Sequence, residues 1–233
     1  MDTQLLKDQI KGHLETKILP FWKNLRDMEN GGFYGYMDFD LKLHKDAVKG
    51  CILNSRILWF FANAAITLKD PSLLAYADHA YVFLKNHCLD REFGGIYWSV
   101  TCDGGIEDST KHTYNQAFAI YALASYYDAS HCSEALSLAK RLFLLIEERC
   151  TDESGYLEAF DRSFCPVSNE KLSENGVVAD KTMNTLLHVF EAYTELYRVT
   201  KDGAVAQRLY RILDIFSEKG YNPKLCRQEV FFD

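Results

Sequence analysis

The chain has 233 residues and a formal net charge of −7, from 33 Asp and Glu against 26 Lys and Arg. Hydrophobic residues make up 48% and charged residues 25%, the proportions of a folded globular protein, so disorder and collagen-like sequence are excluded. The acidic balance also argues against a nucleic-acid binder, which needs a basic face.

The first residues, MDTQLLKDQIKGHLE, mix charge and apolar side chains, so no secretory leader is expected. No run reaches the roughly 18 apolar residues that span a bilayer. The longest, ILWFFANAAITL, begins at Ile57, directly after Arg56. The 7 cysteines are odd in number and none forms a C-x-x-C pair, which points to reduced thiols and the cytoplasm rather than disulfides or zinc.

Apolar periodicity predicts helices over 2–24, 47–68, 71–88, 112–130, 132–149, 180–200 and 203–219. Pro71 fits the first turn of its helix, where a missing N–H costs nothing. Gly31-Gly32 and Gly94-Gly95 are expected to stop the helices before them, because glycine reaches the left-handed conformation cheaply. The alternating aromatic stretches GFYGYMDFD and GGIYWSVT predict short hairpin strands. Short connections at Lys69-Asp70 and Thr200-Lys201-Asp202 make the flanking helices antiparallel neighbours.

The chain also repeats itself. Asp27-Met-Glu-Asn-Gly-Gly-Phe-Tyr34 returns about 62 residues later as Asp90-Arg-Glu-Phe-Gly-Gly-Ile-Tyr97, and Asp152-Glu-Ser-Gly-Tyr-Leu is a weaker third copy. A second series follows each loop: Lys49 to Arg56, Lys111 to Phe118 and Lys181 to His188, each opening a predicted helix. Known two-helix arrays have shorter periods and lack long glycine-aromatic loops. The pattern predicts an all-α toroid whose inner helices surround a cavity, with outer helices around them and rim loops building the site.

Aligned on their lysines, the second series places Ile52 and Arg56, Tyr114 and Phe118, and Asn184 and His188 at matching positions. A spacing of four puts each pair on one helix face near the rim. Arg56, Tyr114, Asn184 and His188 are polar members of an apolar pattern. Polar groups converging on an aromatic cavity suit a sugar, since rings stack on C–H faces and Arg, Asn and Tyr bond hydroxyls. Each has a plainer alternative. His188 can be a satisfied core histidine, Tyr114 a core ring, and Arg56 an ion-pair partner of Asp27 or Glu29. Trp98 can be a stacking platform or a loop anchor. Asn115 and His112 are further site candidates, and Trp59, Phe60 and Phe61 read as packing.

No phosphate loop, dinucleotide fingerprint, nucleophile elbow or H-E-x-x-H helix is present, so neither metal nor cofactor is expected. Asp152 with Glu153, or Glu158 with Asp161, would be the carboxylate pair of a glycosidase, the least favoured reading.

The segments ENGGFYGY (29–36), SRILWFF (55–61), KHTYNQAFAIYALASYY (111–127), EAFDR (158–162), LSENG (172–176), ADKTMN (179–184) and LHVFEAYTELYR (187–198) resemble the cellobiose 2-epimerases. These belong with the N-acylglucosamine 2-epimerases and share an (α/α)6 barrel. The resemblance implies that Arg56, Asn184 and His188 line a sugar pocket, and it favours Tyr114 as a site residue too. It implies inversion of C2 in the reducing-end sugar of a β-1,4-linked disaccharide such as cellobiose, through ring opening and a cis-enediolate. His188 and Arg56 are then the catalytic candidates, and Tyr114, Asn184, Asn115 and Trp98 the substrate-binding ones.

Family members have six helix pairs, and their two acid/base histidines lie further along than this chain reaches. The expectation is therefore a single partial toroid over 1–233, about three and a half units, weakly active by itself and monomeric as a full-length protein. A carbohydrate-binding or inert half-toroid, or a mannobiose or N-acylglucosamine epimerase, are the alternatives. An open toroid should also expose apolar stripes on its first helix and last pair.

Overall fold

A computed structural model describes residues 2–168 and 181–232. The segment LSENG (172–176) and the start of ADKTMN lie outside the described residues, as does the first residue of the helix predicted over 180–200.

Seven continuous helical stretches are present among the described residues. Helix α1 (Thr3–His13) runs through a wider turn (Leu14–Ile18) into α2 (Leu19–Asn24). Then come α3 (Cys51–Leu68), α4 (Leu74–Phe83) with its flanking turns Pro71–Leu73 and Leu84–Cys88, α5 (Thr113–Ser130), α6 (Ser133–Arg149), α7 (Met183–Thr200) and α8 (Gly203–Ile215), which continues through Phe216–Gly220. Their starts follow from capping chemistry. Asp2, Asp70, Thr182 and Asp202 each accept a backbone N–H from the first turn that follows. Pro71 sits in that first turn, as its missing N–H allows.

The helices form two layers. Helix α5 packs against both α3 and α7, making an inner row, while α4, α6 and α8 each lie against the inner helix before them. The sequence of α5 explains its central place. Ala117, Ala119, Ala122 and Ala124 are fully buried and let neighbouring helices approach, with Ile120 and Leu123 filling between them. Helix α3 is long and apolar enough by length and composition to cross a membrane, but here half of it is buried inside the protein. The inner helices α3, α5 and α7 all end on a left-handed residue, Lys69, His131 and Lys201, at the same spacing from Lys49, Lys111 and Lys181.

Small strands join the units. The hairpin β1 (Tyr36–Met37) with β2 (Leu43–His44) and the pair β4 (Ser99–Val100) with β5 (Ile106–Asp108) fall in the two predicted aromatic stretches or beside them. Three other strands replace the predicted first turns of the inner helices: β3 (Lys49–Gly50), β6 (Lys111–His112) and β8 (Lys181–Thr182). Each pairs antiparallel with the rim loop of the next unit, through β4, β7 (Ala159–Phe160) and β11 (Phe231–Phe232) respectively. A last hairpin joins β9 (Tyr221–Asn222) to β10 (Arg227–Gln228). The series lysines thus precede the helices instead of opening them.

Exposed apolar side chains include Leu5 and Ile10 on α1 and Tyr210 and Leu213 on α8, but they are not confined to the end helices: Phe39, Leu41 and Phe93 lie in rim loops, and Ile66, Val82 and Leu144 on the helices between.

Candidate functional site

The rim loops are clamped by buried charge. Lys49 donates to Asp27 at 2.7 Å and to the Gly31 carbonyl at 2.8 Å. Lys111 repeats this on Asp90 at 2.9 Å and on the Gly94 carbonyl, and Lys181 reaches Asp152 at 2.9 Å. Both partners of the first two pairs are fully buried. Burial disfavours the charged form of Asp90. The Arg162 and Lys111 hydrogen bonds and the N–H groups of Glu92 and Phe93 outweigh it, so its carboxyl lies far below the usual range. Asp27 is lowered against the same burial by Lys49 and the N–H groups of Asn30 and Glu29.

The glycine pairs act inside these loops rather than as helix stops. Gly32 and Gly95 take φ values of +63° and +75°. Their carbonyls accept from the N–H of Asp27 and Asp90, at 2.9 Å each. A Cβ on Gly32 would fall 2.6 Å from the Phe83 ring. Asn54 and Gln116, at equivalent positions of α3 and α5, each accept the N–H that follows the glycine pair, from Phe33 and Ile96. The loops are thereby tied to the first turns of the inner helices.

That tie brings three inner helices into register. The Arg56 guanidinium lies 5.1 Å from the Phe118 ring centre. The His188 ring is 4.5 Å from Phe118 and 5.5 Å from Tyr114, and Tyr114 meets Phe118 edge-on at 5.4 Å. Phe118 is therefore the apolar hub on which Arg56 of α3, Tyr114 of α5 and His188 of α7 converge. Arg56 is exposed, and Tyr114 and His188 are half-buried, so the group faces solvent across one wall. Burial raises the Tyr114 phenol above its ordinary range, while the Arg56 charge pulls the other way. Asn184 is exposed one turn before His188 on the same face.

Trp98 anchors the rim loop. Its carbonyl accepts the N–H of Cys51 at the start of α3, and its ring lies 4.5 Å from His112 and 6.4 Å from Tyr114. Trp59 is half-buried and stacks on Tyr121 at 5.4 Å, one turn further along the same inner faces. It packs, as expected, and extends the aromatic lining.

Several expectations change. Asn115 is fully buried and donates to the Tyr97 carbonyl at 2.7 Å, so its amide anchors the rim loop instead of lining the exposed inner face. Asp27 is taken by Lys49, and among the described residues Arg56 forms no salt bridge, which removes its ion-pair alternative. Three of the four carboxylates weighed as glycosidase pairs have other duties. Asp152 holds Lys181, and Asp161 accepts from the N–H groups of Ser163 and Cys165 in its own turn. Glu158 is buried beneath α7, where it accepts from the Thr182 N–H at 2.7 Å and the Thr185 hydroxyl at 2.6 Å. Burial pushes its carboxyl up to about 7.

Glu191 was missed by the sequence reading. Its carboxylate lies 2.8 Å from His188 Nδ1, and the spacing H-x-x-E on a helix is the signal that could have found it. A cavity of about 670 Å³ lies elsewhere, on the outer layer between α4 and α6, lined by Lys85, Arg91, Glu134 and Arg141 among others. It shares no residue with the inner cluster.

The sequence model of the N-acylglucosamine 2-epimerase (GlcNAc 2-epimerase) family matches residues 31–232. A cellobiose 2-epimerase of Ruminococcus albus is 54% identical over 98% of this chain and 59% of its own length. One from Eubacterium cellulosolvens is 50% identical over 94% of this chain and 58% of its own. The structure of cellobiose 2-epimerase from Bacillus thermoamylovorans B4167 superposes with a TM-score of 0.96 and 46% identity, covering 99% of this chain and 60% of that one. The chain thus spans under two thirds of the length of these relatives. Its helix pairs are of the (α/α)6 toroid type, and it belongs to the N-acylglucosamine 2-epimerase family.

Proposed function

We propose that these residues form the sugar-contacting wall of a cellobiose 2-epimerase, which inverts C2 of the reducing-end glucose in a β-1,4-linked disaccharide. The observation that carries the reading is the convergence of Arg56, Tyr114 and His188 on Phe118 from three inner helices. The relatives named cellobiose 2-epimerase, at 50% and 54% identity, supply the substrate class.

The chemistry requires an open-chain aldehyde, because only a neighbouring carbonyl acidifies the C2 proton. Loss of that proton gives a cis-enediolate with negative charge at O1. A fixed cation beside O1 lowers the barrier, and we assign this to Arg56. It is exposed and packs against the Phe118 ring. His188 exchanges a proton with O1 or O5 during ring opening, a task suited to imidazole near neutral pH. Tyr114 and Asn184 orient hydroxyls, and Trp98 offers a stacking edge at the rim. Proton removal and return at C2 need two groups on opposite faces of the enediolate. This wall presents one imidazole, His188, so we expect little turnover from these residues by themselves. The partial toroid over 1–233 is accordingly one binding domain. Its seven free cysteines suit a reducing compartment, and we place the protein in the cytoplasm.

The test is deuterium incorporation at C2 of cellobiose in D2O, followed by proton NMR, beside calorimetric titration of the same protein with cellobiose. Binding with slow or no exchange is expected. Fast exchange would show that the whole acid/base pair is present here. Absence of binding, or release of free glucose, would overturn the assignment.

A further inference from the structure

Two glutamates follow His188 on the same helix, and their surroundings differ. Glu195 is committed: it accepts from the Ser125 hydroxyl at 2.8 Å and pairs with Arg198 at 2.8 Å. Glu191 meets neither a lysine nor an arginine among the described residues, and its carboxylate lies 2.8 Å from His188 Nδ1. The imidazole is held from the other side by the faces of Phe118 and Tyr114, with centroids at 4.5 and 5.5 Å. Its second nitrogen, Nε2, has no hydrogen bond to the protein among the described residues.

We propose that Glu191 is a positioning residue that fixes the neutral His188 ring in the Nδ1–H tautomer and leaves the Nε2 lone pair as the nitrogen offered to the ligand. The chemistry is restrictive. An ionised carboxylate only accepts, so a bond to Nδ1 requires the proton to sit there. The lone pair of the neutral ring then lies on Nε2. There it can take a proton from a hydroxyl, and the Glu191 charge balances the cation that forms. In solution the free imidazole favours the opposite tautomer, so without Glu191 the ring would present N–H where a base is wanted. The i, i+3 spacing on a regular helix sets the geometry with no loop involved. That the ligand is a sugar rests on the function proposed above; the tautomer does not.

The test is a long-range proton–nitrogen NMR spectrum of the 15N-labelled protein at alkaline pH, with His188→Gln used to assign the ring. The expected result is the Nδ1–H pattern in the unaltered protein. Glu191→Ala should shift it toward the Nε2–H form, and the size-matched Glu191→Gln, whose amide oxygen still accepts, should shift it less, both with unchanged melting temperatures. An Nε2–H pattern in the unaltered protein, or no shift in Glu191→Ala, overturns the proposal. Cellobiose titration of the same samples separates the two claims. Affinity falling by about tenfold in Glu191→Ala, the loss of one charged hydrogen bond, supports both. The expected tautomer with no binding in any sample leaves Glu191 as the positioning residue and rejects the sugar.

Discussion

Arg56 lies with its guanidinium 5.1 Å from the centre of the Phe118 ring, across the contact between α3 and α5. The cation is thus held by a neighbouring helix and, among the described residues, is not neutralised by a carboxylate, which is what a group waiting for a developing anion requires. Exposed cation–ring contacts contribute only about 0.5–1 kcal/mol. Arg56→Ala is therefore expected to leave the urea-unfolding free energy nearly unchanged while abolishing measurable cellobiose binding in calorimetry. Equal losses of stability and binding would make Arg56 structural. Arg56→Lys keeps the charge but not the planar fork, and should bind more weakly than the parent.

The buried clamps predict a ranked pair of stability losses. Lys49→Met strands Asp27, which has no second cation among the described residues, and should cost about 3–5 kcal/mol in urea denaturation. Lys111→Met should cost less, because Arg162 remains 3.0 Å from Asp90. The reverse order would mean that the Arg162 contact is not kept. Both aspartates are held below their ordinary range, so their contribution is full above pH 3.8, the unfolded value, and is lost as acid protonates them.

Glu158 works in the opposite direction. Its carboxyl is raised from 4.5 to about 7 by burial under α7, so the folded state holds its proton longer than the unfolded chain does. The stability linked to it is fully present below pH 4.5 and is lost as pH rises to about 7, a change on the order of 3 kcal/mol. Glu158→Gln can still accept from Thr182 N–H and donate to the Thr185 hydroxyl. Denaturation curves at about pH 5 and about pH 8 should therefore fall by less in the variant than in the parent. Parallel changes in both proteins would place the titrating group elsewhere.

Gly32 tests the rim loop. Its φ of +63° and the 2.6 Å approach of any Cβ to the Phe83 ring leave no room for a side chain. Gly32→Ala should destabilise by more than about 2 kcal/mol, since strain and overpacking add. Gly12 on α1, where an added Cβ meets nothing within 4 Å, is the control, and Gly12→Ala should be neutral or mildly stabilising. A harmless Gly32→Ala would mean the loop can move off Phe83.

Much of this was legible beforehand. All seven helices follow from apolar periodicity, and the matched positions of Arg56, Phe118 and His188 follow from the repeat. An i, i+4 face depends only on helix geometry, so aligned lysines place aligned faces. What was misplaced depended on partners far along the chain. Lys49, Lys111 and Lys181 read as helix openings because nothing local reveals that each is drawn onto a strand by the next rim loop. Asn115 reads as a site residue beside Tyr114, yet adjacent helical positions point about 100° apart, and it turns inward to Tyr97.

By itself the sequence determined the helices, the repeat and which residue types share a face, because these rest on local backbone preferences and periodic burial. Only the tertiary structure decided which charges were buried in holding the rim loops and which stayed on the inner face beside Phe118 and His188. Lys111 and Glu158 look as free in the sequence as Arg56 and Glu191 do. Burial and the distance to a partner separate them, and both are properties of helices packed side by side.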